Sequence, residues 1–193
     1  MSVGNTGDVG EAGSAGSAGK TGDAGNAGNA GGAAGVSGDA VAVGFAPGER
    51  DFGLSTRRAR LKWVVVVHAG LPPGRAANAA VCAVAPTVAA VPGLLGDAAA
   101  DADGTVHPGL PWAGCSVLVA DSAALRTVRA KAAARPDVFV ADVPAAAQST
   151  RVYGDFLATV GRARTEEMEY CAVSIVGPRN PVDRIVGRLP LMP

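Results

Sequence analysis

The stretch LPPGRAAN (Leu71–Asn78) holds residue types whose order could bind an anion. A glycine at the mouth of a helix that follows a strand leaves backbone N–H groups pointing outward, where negative charge is favoured. Gly74 supplies that turn, Arg75 adds a forked guanidinium, and Asn78, about one turn on, adds a neutral donor and acceptor. The plainer alternative is a tight turn with Arg75 in solvent and Asn78 bonding backbone. A single glycine is a thinner phosphate signal than a Walker or dinucleotide loop.

Two further clusters could do chemistry. DAAADADGTVH (Asp97–His107) offers Asp101, Asp103 and His107. Read as a calcium loop with Gly104 at the turn, its first ligand slot falls on Ala99 and its closing slot on Leu110, so it fails as an EF-hand. His107 could serve as a general acid or base, or tie the loop by hydrogen bonds. AQSTRVY (Ala147–Tyr153) sets Thr150 near the start of a helix with Tyr153 on the same face of one turn. Tyr153 reads as a half-buried aromatic more readily than as a site-facing hydroxyl. Gly177, the last candidate contact for a ligand, reads most simply as part of a Gly-Pro turn.

The cysteines are Cys82, Cys115 and Cys171. An odd count at wide spacing argues against a disulfide framework and against a clustered-thiolate zinc site; neither metal nor cofactor is expected. A nucleophilic thiol needs a basic neighbour. Only Cys115 has a histidine nearby in sequence, His107, and a catalytic reading would rest on that pair.

These residues must be held by something. LKWVVVVHAG (Leu61–Gly70) is a short β-branched run bounded by glycine, the mark of a strand covered on both faces. From about Gly74 small residues recur at helical spacing, and Pro86 should end or kink that helix. A loop rich in Gly, Pro and Asp (Pro92–Gly114) precedes a second strand, Cys115–Asp121, and a helix capped by Asp121 or Ser122. Asp137–Val143 reads as a third strand, Ala145–Gly161 as a helix and Met168–Gly177 as a fourth strand. A closing helix takes Asn180 as its cap and Pro181 as its first residue. Strands alternating with helices predict an α/β layer with helices on both faces, binding at the strands' carboxyl ends.

Ahead of this domain, glycine falls on every third residue from Gly4 to Gly31, yet the first proline is Pro47. Without proline a collagen triple helix is not expected. Residues 1–56 read as a disordered Gly/Ala-rich tail and linker, and residues 57–193 as the folded domain. Six acids against two bases make the tail acidic, while the remainder is mildly basic by the same margin, although the whole chain has formal net charge +0. That balance permits a small anionic or nucleotide-like ligand, or RNA, without requiring either. No apolar run is long enough to span a bilayer and no signal peptide leads the chain, so no membrane association and a cytoplasmic location are expected.

Residues 57–193 resemble the bacterial family known as domain of unknown function 2000. The likeness rests on RLKWVVVV, LPPG…N, DADG…HPG and the GP…V…GRLPL ending. That family is grouped in the type 2 peptidyl-tRNA hydrolase-like superfamily. The resemblance implies a three-layer α/β/α sandwich around a mixed four-stranded sheet of order 2-1-4-3, with the last strand antiparallel. The hydrolases carry GKxAxQxxHA after the first strand. Here Gly74 matches, but Arg75, Ala79 and Cys82 stand where their lysine, glutamine and histidine are. Their DAGxTQ segment is also replaced, by RARTEEMEY (Arg162–Tyr170). Arginine stays protonated at any working pH and cannot take over a lysine's proton transfer. The expectation is a small-ligand or nucleotide-type binding module. The alternatives are a hydrolase of peptidyl-tRNA or a related acyl ester, and a structural or interaction domain that could form a homodimer.

Overall fold

The computed structural model describes residues 43–193; the glycine repeat and the rest of the expected tail lie outside the described residues. Four strands form the central sheet: β1 (Leu61–His68), β2 (Ser116–Ala120), β3 (Phe139–Pro144) and β4 (Tyr170–Pro178). Their order is 2-1-4-3. β1 and β2 run parallel, and β4 runs antiparallel to both β1 and β3. This is the order and sense expected from the resemblance.

Helices cover both faces. α1 (Pro73–Ala90) packs Ala76, Ala79 and Ala83 onto Val65, Val67 and Ala172. α2 (Ser122–Ala133) and α4 (Arg179–Val186) lay Leu125, Val128, Val182 and Ile185 over Val64, Val66, Val173 and Ile175. Consecutive valines of β1 thus serve opposite faces, which is why the run does not alternate with polar residues. Alanines on α1 let its backbone lie close to the sheet. A register shift opposite Val143/Pro144 inserts Cys171, which joins Ala172 on the α1 side.

One polar chain crosses the α1 layer. The Trp63 indole N–H donates to Ser174 Oγ (2.9 Å), and the Ser174 and Thr87 hydroxyls are 2.8 Å apart. Thr87 Oγ1 also donates to the Ala83 carbonyl (2.8 Å). With one proton per hydroxyl, Ser174 must donate to Thr87, so every buried donor in the chain is satisfied.

Several local expectations are corrected. α1 continues through Pro86 to Ala90, because its alanine face stays on the sheet although Cys82 loses its i→i+4 partner. The expected third helix is split: Ala145–Gln148 is a 3₁₀ turn, and the helix proper, α3 (Tyr153–Arg162), begins only after a four-residue break. β4 passes straight into α4 with Pro178 at the cap, so Asn180 is not the cap and Gly177 is not in a turn. Gly177 is required instead by close approach, since a Cβ there would lie 2.8 Å from Val138 Cγ2. Residues 43–56 are not a bare linker. Phe45 is buried with Leu61, Trp63 and Leu94, its N–H donates to Pro92 (3.0 Å), and Arg60 clasps Glu49 and the Gly44 carbonyl. The C-terminal residues cover the outer edge of β2 through Val119 N–H to Pro190 O and Met192 N–H to Val117 O.

Candidate functional site

At the first turns of α1, Arg75 and Asn78 do come together, through a residue the sequence reading passed over. Arg75 Nε donates to Gln148 Oε1 (3.0 Å), and Gln148 Nε2 donates back to the Arg75 carbonyl (2.8 Å) and to Asn78 Oδ1 (3.3 Å). The knot pins the 3₁₀ turn after β3 to α1. Arg75 also opposes the upward push that burial gives the Cys171 thiol. Gly74 faces open space, with no atom near an added Cβ, and the helix start has no side-chain cap.

Asn78 and Cys82 lie one turn apart on the same face of α1. Beyond them opens a cavity of about 530 Å³. Val143 and Pro144 from the end of β3, Cys82 and Pro86 from α1, and Phe156 from α3 (Tyr153–Arg162) provide apolar or weakly polar walls. Asp142, Thr150 and Arg151 provide polar ones. The Thr150 hydroxyl donates to the Ala146 carbonyl (2.8 Å), which leaves its oxygen able to accept. Asp142 is committed through one oxygen to Arg129 Nε (3.0 Å). The Arg151 side chain has no hydrogen bond or ion pair among the described residues. Tyr153 lines the mouth and is 73% exposed, a correction to the half-buried reading, because α3 starts too late to tuck it under.

His107, Asp101 and Asp103 belong elsewhere. They sit on a ribbon, Ala99–Ala100 with Val106–His107, that springs from the C-terminal end of α1, far along the helix from Arg75. Asp101 Oδ1 accepts the N–H groups of Asp103 (3.0 Å) and Thr105 (2.9 Å), and Oδ2 meets His107 Nε2 (3.4 Å). The bond from Thr105 N–H is the main cause holding the Asp101 carboxyl below its ordinary range. The histidine ties the loop, as its plainer reading had it. Among the described residues no hydrogen bond joins this cluster to Arg75 or Thr150.

Nucleophilic catalysis finds no set of groups among the described residues. Burial alone pushes the Cys115 thiol up to about 11, the reverse of what a thiolate nucleophile needs. At the end of β1, His68 Nε2 lies 3.0 Å from Ser122 Oγ and suggests a serine–histidine pair. Its Nδ1, however, accepts the Gly70 N–H (3.0 Å). In the neutral ring the proton therefore sits on Nε2, which donates to Ser122 and cannot take its proton. Among the described residues no group of three or more His, Cys, Asp or Glu could hold a metal ion.

A larger cavity, about 810 Å³, lies at the other end of the sheet beneath Phe45, Val88 and Leu94. Its two arginines are already occupied, Arg50 by Asp97 and Arg60 by Glu49. The charge there is balanced, and of these two cavities only the one near Thr150 keeps a cation without a partner among the described residues.

A family-wide sequence profile, described as protein of unknown function (DUF2000), matches residues 61–193. The chain belongs to the DUF2000 family. The matched stretch runs from β1 to the C-terminus, so both α1 and the cavity fall inside the DUF2000 domain. A protein of unknown function from Agrobacterium tumefaciens is similar in structure at TM-score 0.63 and 18% identity, over 69% of this chain and 98% of that one. That likeness shows a shared fold. No curated protein matches the chain. No helix among the described residues is long and apolar enough to cross a membrane.

Proposed function

We propose that this DUF2000 domain is a binding module for a small acidic ligand of nucleotide size, held in the cavity between α1, the end of β3 and α3. The observation that carries this reading is the lining. An apolar lining that includes Phe156 shares the cavity with Arg151, whose guanidinium has no partner among the described residues, and with Thr150, whose hydroxyl can still accept. A flat or apolar body would pack against Phe156 and Tyr153, whose rings lie 5.5 Å apart, and an anionic group would meet the arginine fork. About 530 Å³ falls in the ordinary range for ligand pockets. The cavity lies beside the carboxyl end of β3, which runs in the same direction as β1 and β2 although its own neighbour is antiparallel, and such carboxyl ends are where α/β sheets usually bind.

Kinship with the type 2 peptidyl-tRNA hydrolase-like superfamily is part of the proposal. It is supported by the 2-1-4-3 order and the antiparallel last strand. It extends to fold alone. Arg75, Ala79 and Cys82 replace the hydrolase groups, and the geometry of Cys115, His107 and His68 gives acyl-ester hydrolysis no support. A cytoplasmic site of action accompanies the binding reading.

A thermal-shift titration with mononucleotides and aromatic carboxylates tests it. At least one should stabilise the wild-type protein, and Arg151→Ala should bind it about tenfold or more weakly, the usual loss of a charge-assisted contact. Arg164→Ala, which removes a surface arginine paired with Glu166, should bind normally. Equal binding by Arg151→Ala, or no stabilising ligand in either class, overturns the proposal.

A further inference from the structure

Helix α3 is unlike the other three helices: α1, α2 and α4 each bury residues against the sheet, and α3 buries none. Phe156 and Val160 are half-buried and line the cavities on the domain side. With 3.6 residues per turn, Gly154, Leu157, Ala158 and Gly161 are grouped on a different face, with Ala158 almost opposite Phe156. Leu157 is 55% exposed, and a Cβ on Gly154 or Gly161 would meet nothing within 4 Å. The outward face is therefore one leucine set among residues small enough to let a second backbone come near.

The charges on this helix say what could cover it. Asp155 and Arg162 are both exposed, and neither side chain has a hydrogen bond or ion pair among the described residues. Seven residues separate them, almost two full turns, so both lie on the same flank of the outward face, with opposite sign at opposite ends. Such a flank is complementary to itself when reversed.

We infer that α3 is a self-association surface on which a second copy of the chain packs its own α3 antiparallel about a two-fold axis. In that arrangement Leu157 seats against the small residues facing it, Asp155 meets Arg162 of the partner subunit, and the second ion pair follows by symmetry. A parallel pairing about a two-fold axis would put the two charged flanks on opposite sides of the seam, where neither ion pair could form. Helix α3 is only about 15 Å long, so the contact falls below the roughly 800 Å² per partner of a standard interface. The dimer is accordingly a reversible one that forms as concentration rises. The ligand cavity lies on the Phe156 side of the helix, and self-association does not depend on ligand.

Sedimentation equilibrium of the full chain, from about 5 to about 500 μM, tests this inference. The wild type should pass from monomer to dimer, and Leu157→Asp should stay monomeric throughout with an unchanged melting temperature. Asp155→Arg and Arg162→Asp should each weaken dimerisation about tenfold, since two symmetric attractions become repulsions. The double variant should restore it. A wild type that remains monomeric, or charge reversals that leave the constant unmoved, or a double variant no better than the singles, would overturn the inference. Dimerisation that survives Leu157→Asp would place the interface elsewhere and overturn it equally.

Discussion

At the residue scale, environment decides which side chains can react. Cys82 is exposed, Cys171 is buried, and the Cys115 thiol is pushed up to about 11 by its surroundings. With a thiol reagent at about pH 8, one equivalent should react quickly in the native protein and all three only after denaturation; fast labelling of Cys115 would contradict this burial. Ser174 is wholly buried between Trp63 and Thr87. Ser174→Ala should cost about 1–3 kcal/mol, because the indole N–H loses its acceptor, and chemical denaturation measures it. The Arg60 hydrogen bond holds Glu49 below its ordinary 4.5. Because the folded value is the depressed one, this stabilisation is complete above the ordinary value and is lost as pH falls through the folded one. Glu49→Gln should therefore lose up to about 1 kcal/mol near neutrality, as expected for an exposed pair, and show a shallower decline in acid. The pairing of Arg75 with Gln148 could not be read from the chain, since 73 residues separate them. His107 was legible as a loop tie because Asp101 and Gly104 already marked the turn.

At the element scale, local pattern located the strands better than it located the helix ends. The valine run and the bounding glycines announced β1, and Asp121 does cap α2 through the Ala124 N–H (2.8 Å). Two proline signals placed helix ends wrongly: α1 does not end at Pro86, and Pro181 is not the first residue of α4. Pro86 is tolerated within α1 because three buried alanines and Thr87 keep the helix on the sheet. Pro86→Ala restores a backbone donor to the Cys82 carbonyl at an exposed position and should raise the melting temperature; a fall would mean that the proline ring contributes packing which outweighs the hydrogen bond. Pro178, not Asn180, opens α4, because Gly177 is drawn into the strand by its contact with Val138. The break at Ser149–Val152 escaped notice for a physical reason: the apolar spacing continues across it, and only the bonds from Gln148 to α1 reveal that the chain must turn there.

At the scale of the whole molecule, the resemblance carried the sheet order, which composition and periodicity alone would have left open. The start of the folded unit was misplaced. Residues 43–56 are rich in Gly, Pro and charge, so their single buried aromatic, Phe45, gave no periodic signal. A chain begun at Arg57 should melt well below the full chain, and Phe45→Ala should account for about 3–5 kcal/mol, the usual cost of emptying a buried aromatic site. The cavity beside α3 was only half legible. Thr150 and Tyr153 stood out as polar and aromatic neighbours, but Asp142, Arg151 and Cys82 join them only through the packing of α1 and α3 around the end of β3. The role proposed for this cavity is to bind a small acidic ligand. The most direct measurement is an amide chemical-shift titration of the full chain with mononucleotides and aromatic carboxylates. Saturable shifts should be confined to Cys82, Asp142–Val143 and Thr150–Phe156. Saturable shifts centred on the Asp101–His107 ribbon or on the cavity beneath Phe45, or none in any region, would contradict it.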